Sequence, residues 1–195
     1  MTHRNWLIIM SLAVFMMIST GCISRTICLE GRRVWPASPK FTIAPQNYTA
    51  DELRAAGIRT DGVYVRCGFR PKEVQEENED FLRRKGWRTG SPYFRFWANG
   101  RILVGFSKMD VLTAREVDCF EGGILGYFRF PTNGVLESEV YTYDLGRGGG
   151  AYSKCSRIIE GDTLWFTTYA THKGVPVELG YRFVPIKGMT AQPDW

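Results

Sequence analysis

Tyr93-Phe94-Arg95-Phe96-Trp97-Ala98-Asn99-Gly100-Arg101-Ile102-Leu103-Val104-Gly105-Phe106 is the stretch whose reading decides the fold. Two runs rich in aromatic and branched residues flank Ala98-Asn99-Gly100, and Asn-Gly supplies the two positive-φ residues of a type I′ hairpin turn. A period of two puts Phe94 and Phe96 on one face, with Tyr93, Arg95 and Trp97 on the other. The same texture continues outward. Asp61 to Cys67 reads as a strand upstream. Downstream, strands are expected near 124–130, 135–144, 151–159, 163–171 and 176–185, separated by turns at Pro131–Gly134, Gly146–Gly150, Glu160–Asp162 and His172–Gly174. That makes eight strands in sequential hairpin order. A meander of that size closes on itself, because closure removes its exposed edges. The expected fold is therefore mainly β, an antiparallel meander of about eight strands forming a small barrel over 48–195.

Two or three short helices accompany the strands. Thr49 and Glu52 have capping-box spacing and Gly57 can close the helix they start. Pro71 to Lys85 begins with proline at a first-turn position and stops at Gly86. Thr113 and Glu116 repeat the capping-box spacing ahead of Ala114 to Phe120.

Asp61-Gly62-Val63-Tyr64, Tyr93 to Gly100, Gly126-Tyr127-Phe128, Tyr152 to Cys155 and Gly161-Asp162-Thr163-Leu164 together resemble the calycin-type, lipocalin-like barrels of exported bacterial proteins. The resemblance implies a small barrel that carries an apolar or amphipathic ligand. Gly62-Val63-Tyr64 stands where lipocalins have Gly-x-Trp.

Ahead of the barrel, Met1 to Cys22 runs from a polar, positive start through the uncharged stretch Trp6–Ile18 to small residues and a cysteine. That is the order of an export signal, and the apolar run is shorter than the roughly 20 residues a spanning helix needs. The segment resembles a bacterial lipoprotein signal with its lipobox, although Ser19 occupies the place where that family prefers leucine. The resemblance implies removal of residues 1–21 and attachment of a diacylglyceryl group, with palmitate-type chains, to Cys22. It also implies residence at the periplasmic face of the envelope, and Ile23 after Cys22 leans towards the outer membrane. Residues 22–47, interrupted by Pro36, Pro39 and Pro45, read as the lipidated N-terminus and a tether.

The net charge of +5 falls only to +4 without residues 1–21, whose single charged side chain is Arg4. So mild a charge, with no basic stripe, argues against nucleic acid as a partner. The expected partners are the membrane through its lipid anchor and either a small ligand or another envelope protein. In an exported chain, Cys28, Cys67, Cys119 and Cys155 can form one or two disulfides or remain free thiols. No metal or catalytic residue set is legible, and no cofactor is expected. His172 is the only histidine beyond the signal, too few for a histidine zinc site or an oriented triad. Gly146 to Gly150 lacks the Gly-Lys-Ser/Thr of a phosphate loop. Asp110, Asp118 and Glu121 lack calcium-loop spacing.

Two sets of residues are candidates for binding. Glu137, Glu139, Tyr141 and Tyr143 alternate onto one strand face, which either lines a polar cavity or faces outward. Tyr93, Arg95 and Trp97 form an outward stripe of residue types enriched at interfaces, unless a helix such as Pro71 to Lys85 covers it. The reading is a non-catalytic, lipid-anchored envelope protein that acts by binding or contact. A lipocalin-like carrier is the second reading, and an unrecognised hydrolase the third. Intact mass of protein extracted from membranes checks the anchor: the diacylglyceryl increment is expected in the native chain and absent in Cys22→Ala.

Overall fold

A computed structural model describes residues 26–29, 33–70, 91–107, 111–119, 123–144, 149–168 and 177–195. The expected export signal with Cys22, the helix expected from Pro71 to Lys85, and His172 lie outside these residues. In chain order the elements are β1 (Thr26–Leu29), β2 (Arg33–Pro36), α1 (Ala50–Ala55), β3 (Gly62–Arg70), β4 (Ser91–Phe96), β5 (Arg101–Ser107), α2 (Ala114–Asp118), β6 (Ile124–Thr132), β7 (Val135–Asp144), β8 (Gly149–Glu160), β9 (Thr163–Thr168) and β10 (Val177–Pro185). Strands β3 to β10 form one closed barrel, each pairing antiparallel with its neighbours in sequence, and β10 returns to pair with β3. The eight expected strands are all present, as are both helices with capping-box spacing.

Local chemistry explains the joints. Thr49 caps α1 reciprocally, its hydroxyl accepting from the Glu52 amide while the Glu52 carboxylate accepts from the Thr49 amide. The hairpin between β4 and β5 departs from the expected two-residue turn. Its loop has three residues, with the Gly100 amide donating to the Trp97 carbonyl and the Trp97 amide donating to Arg101. Gly100 takes φ +73°, the left-handed bulge position that follows a type I turn. The reason lies outside the hairpin. Tyr48 donates its amide to the Ala98 carbonyl, and a Cβ at Gly100 would meet the Gln46 backbone, so the turn is shaped around chain docked beneath it.

The barrel wall separates two apolar clusters. Tyr64, Phe94, Phe96, Phe128, Leu136, Leu164 and Phe183 project inward and fill the end that carries the short β4–β5, β6–β7 and β8–β9 turns. Leu53 and Ile58 from the α1 region and Tyr48, stacked on Phe128, close that end. The second cluster lies outside the wall. It joins Val63, Tyr93, Leu103 and Leu125 to Val117 of α2, Trp35, Ile186 and the C-terminal residues Met189, Ala191 and Trp195.

The expected tether, by contrast, packs on the barrel from Trp35 onward. The ribbon of β1 and β2 lies with β2 against β6 and β7, Trp35 stacks on Phe41, and Phe41 meets Tyr127 and Tyr152 edge-on. Polar spacing and prolines suggested free chain, but Trp35, Phe41 and Ile43 remove apolar area that the barrel exterior alone would leave in water. Cys67, Cys119 and Cys155 are free thiols, so no pairing among these three forms.

The C-terminal residues are held by a charged clasp. Arg95 ion-pairs with Asp118, donates to the Val117 carbonyl at 3.1 Å and donates to the Ala191 carbonyl at 2.9 Å. Asp118 also accepts from the Thr190 amide at 2.7 Å. Burial by itself would raise the Asp118 carboxyl, but the Thr190 amide and Arg95 outweigh it and hold it below the usual carboxylate range. The stability it contributes is thus complete above the unfolded value of about 3.9 and is lost as pH falls through the lower folded value. Asp118→Asn is expected to cost about 2 kcal/mol at neutral pH, a fall in Tm of about 5 °C. Thermal melts across pH should show the gap between the two proteins closing only below about pH 4.

Candidate ligand site in the barrel

Both expected sets of binding residues lie on the outside of the barrel wall; the aromatic stripe is covered throughout and the other set at Glu139 and Tyr141. Tyr93, Arg95 and Trp97 face outward as alternation requires, but all three are buried, Arg95 to 4 % exposure. The cover is α2 and the C-terminal residues: the Arg95 clasp, a 3.2 Å bond from Trp97 Nε1 to the Ala191 carbonyl, and Trp195 edge-on to Trp97. This stripe therefore presents no contact surface to solvent. An open cleft of about 570 Å³ beside it is bordered by Asp61, Pro185, Lys187 and Met189, and Arg95 reaches it already engaged by Asp118.

The face of Glu137, Glu139, Tyr141 and Tyr143 also points outward, because Leu136 on the opposite parity belongs to the inner cluster. It does not line the barrel interior. Glu139 is 2 % exposed, and one of its carboxylate oxygens accepts from the Thr42 amide at 2.6 Å, the Thr42 hydroxyl at 3.1 Å and the Ile43 amide at 2.8 Å. Tyr141 is buried against Tyr152 and over Gly150, where a Cβ would collide with its ring. Glu137 pairs with Arg129 across the strands, and Tyr143 is half-buried. Glu139 is thus a lock for the N-terminal strap. A shallow groove of about 190 Å³ remains beside it, between Ile43, Arg129 and Lys154.

The interior itself changes character along its length. At the plugged end, inward side chains such as Leu136, Phe128 and Leu164 are fully buried. Towards the opposite end, where the β3–β4, β5–β6, β7–β8 and β9–β10 links attach, exposure rises. Val104, Val140, Thr142, Cys155 and Phe166 are half-buried, Ser153 is exposed, and Phe106 is 53 % exposed. Among the described residues, the inward side chains of this end are thus less completely buried than those of the other.

Arg157 stands where the two zones meet. It pairs across the ladder with Leu136, so both project inward, and it is only 5 % exposed. Its Nη1 donates to the Ser138 hydroxyl at 2.6 Å, and its guanidinium lies 4.3 Å from the Phe94 ring centre and 5.5 Å from that of Phe166. Its Nε–H has no hydrogen-bond partner, and none of the ion pairs among the described residues includes it. Burial pulls the guanidinium below its ordinary pKa, with the Cys155 thiol and Tyr181 phenol acting in the opposite sense. Tyr181, stacked on Phe166, is pushed up to about 12 by burial, against the pull of Arg157 and Arg66. Arg66 is the cross-strand partner of Tyr181 and so projects inward too.

Sequence reasoning passed over Arg157 as one more strand residue. Its signal was parity: it shares a face with Ile159, two positions on, and a charge at an apolar inward position is the kind of exception worth pursuing. Among the described residues, no three His, Cys, Asp or Glu side chains come together in a way that could hold a metal ion. Among them, no helix is long and apolar enough to cross a membrane. Comparison with protein-family models, curated proteins and solved structures finds no match to this chain.

Replacing Glu139 checks its assignment as a lock. Glu139→Ala leaves three donors in and around the strap without their acceptor and is expected to cost about 3 kcal/mol. Limited proteolysis should then cut between Trp35 and Asn47 while the barrel core resists. Glu139→Gln should behave between the two.

Proposed function

We propose that this protein is a non-catalytic binding protein of the cell envelope, exported and held at the membrane through Cys22, whose barrel carries one small amphipathic ligand. The observation that carries the reading is the gradient inside the barrel. One end is sealed by aromatic packing and α1, while inward apolar side chains at the other end remain half-exposed. Eight strands give an interior just wide enough to be filled by side chains or to hold one small molecule, and the half-buried inward positions at the second end support the latter. Action through the Tyr93–Trp97 stripe is not retained, since the C-terminal residues cover it. The lipid anchor rests on the sequence of Met1 to Cys22 and would keep the carrier at a membrane surface.

Titration with N-phenyl-naphthylamine, a neutral apolar fluorophore, tests the carrier reading. One equivalent is expected to bind with enhanced, blue-shifted emission. Val140→Trp, which fills the open zone, should abolish the signal and leave the melting temperature within a few degrees. Absence of binding to the native protein would overturn the reading.

A further inference from the structure

A buried guanidinium without a counter-charge is costly. Removing a cation from water carries a penalty of several kcal/mol, which is normally offset by a paired carboxylate and further hydrogen bonds. Arg157 has one hydroxyl acceptor and two aromatic faces. Cation–π contacts offset part of that penalty, and they leave the charge unneutralised. Of the five N–H donors in the planar fork, one is given to Ser138, and the buried Nε–H has no hydrogen-bond partner. That arrangement orients the group without satisfying it.

The surroundings specify what is missing. The second inward cation, Arg66, reaches the same Tyr181 that Arg157 influences. None of the inward barrel positions whose side chains are described is acidic, so among them Arg66 and Arg157 meet no inward carboxylate. Phe94 and Phe166 flank the guanidinium, and Val104, Val140 and Phe106 continue the apolar wall towards the open end. A planar fork favours a carboxylate or another bidentate oxyanion, while the wall above favours hydrocarbon.

We infer that Arg157 is the anion-recognition residue of the barrel, and that the ligand is an amphipathic anion whose acidic head meets the unpartnered Nε edge of Arg157 while its apolar body runs along Phe166, Val140 and Val104. The inference rests on the carrier reading and gives it a ligand class. Ser138 is a positioning residue, fixing one arm of the fork so that the other edge faces the ligand. Arg66, half-buried, adds attraction without direct bidentate geometry.

The test compares dansyl-undecanoate with its methyl ester, which share every apolar atom of the chain and differ in charge. The native protein should bind the acid about tenfold more tightly than the ester or better, as a charge-assisted pair in a dry site requires. Arg157→Met should reduce that preference to near unity by weakening the acid alone, with ester binding unchanged. Arg157→Lys should retain part of the preference, and Arg66→Met should lose less of it than Arg157→Met. Equal binding of acid and ester by the native protein would overturn the inference and leave the carrier reading standing. A preference that persists in Arg157→Met would also overturn it, making Arg157 an internal strut. Failure of both probes on the native protein would remove the carrier reading and this inference together. The acid-to-ester ratio of the native protein needs no variant, so the charge preference is decided even if Arg157→Met does not fold.

Discussion

The pairing of β10 with β3 is the contact on which the rest of the molecule depends. It joins the last strand to the first in a ladder from Glu178 opposite Arg70 to Pro185 opposite Gly62, with a bulge at Cys67 where two residues of β3 oppose one step of β10. Without it the sheet has two open edges and no inside. Ordering the whole intervening chain opposes this pairing entropically, so the seam needs support beyond backbone hydrogen bonds. Support comes from outside the wall. Arg70 lies 3.5 Å over the Trp165 ring and pairs with both Glu160 and Glu178, tying β3 to β8 and β10. Trp165 in turn lies over Gly180, where no side chain could be accommodated. Gly62 meets the Val184 carbonyl at the far end of the ladder for the same reason.

Closure gives every strand an inner and an outer face, and this chain makes both apolar. The inner face packs its own aromatics at one end. The outer face of β3 to β6 cannot pack on itself, so pieces from the two ends of the chain cover it: Trp35 and Phe41 from one, Ile186 to Trp195 from the other. Each piece is pinned by a charged group embedded in the wall. Glu139 holds the N-terminal strap through two backbone amides and a hydroxyl, and Arg95 holds the C-terminal residues through the Ala191 carbonyl and Asp118. A buried charge that collects backbone groups in this way orients what it holds, because leaving any of those partners unmade is expensive.

The same reasoning sets Arg157 apart. Arg95 is buried with a carboxylate and two carbonyls and Glu139 with two amides and a hydroxyl, whereas Arg157, equally buried, has one hydroxyl acceptor, two aromatic faces and no carboxylate among the ion pairs of the described residues. It sits at the junction between a sealed floor and an open upper zone. Rigid packing below and a less completely buried apolar wall above are the features on which the proposed ligand carriage rests.

Strand number, order and hairpin connectivity were legible in the sequence because they rest on local chemistry. Period-two alternation, turn residues at short intervals and the Thr49–Glu52 capping box each depend on residues only a few positions apart. The export address proposed for Met1 to Cys22 rests on the same kind of local pattern. Which side of each strand faces the interior was settled only by tertiary structure, since the two faces of β7 are both plausible until β6, β8 and the strap are in place. The spacing of Glu139 and Tyr141 left open a polar cavity or an outward face, and Glu139 turned out to anchor a strap ninety-odd residues away in sequence. Tyr93, Arg95 and Trp97 were correctly read as outward, yet the segment that buries them lies at the other end of the chain. Arg157 looked ordinary beside its neighbours. Its significance comes from Ser138, Phe94, Phe166 and Tyr181, which belong to four other strands, and burial and counter-charge are properties of that assembled surrounding.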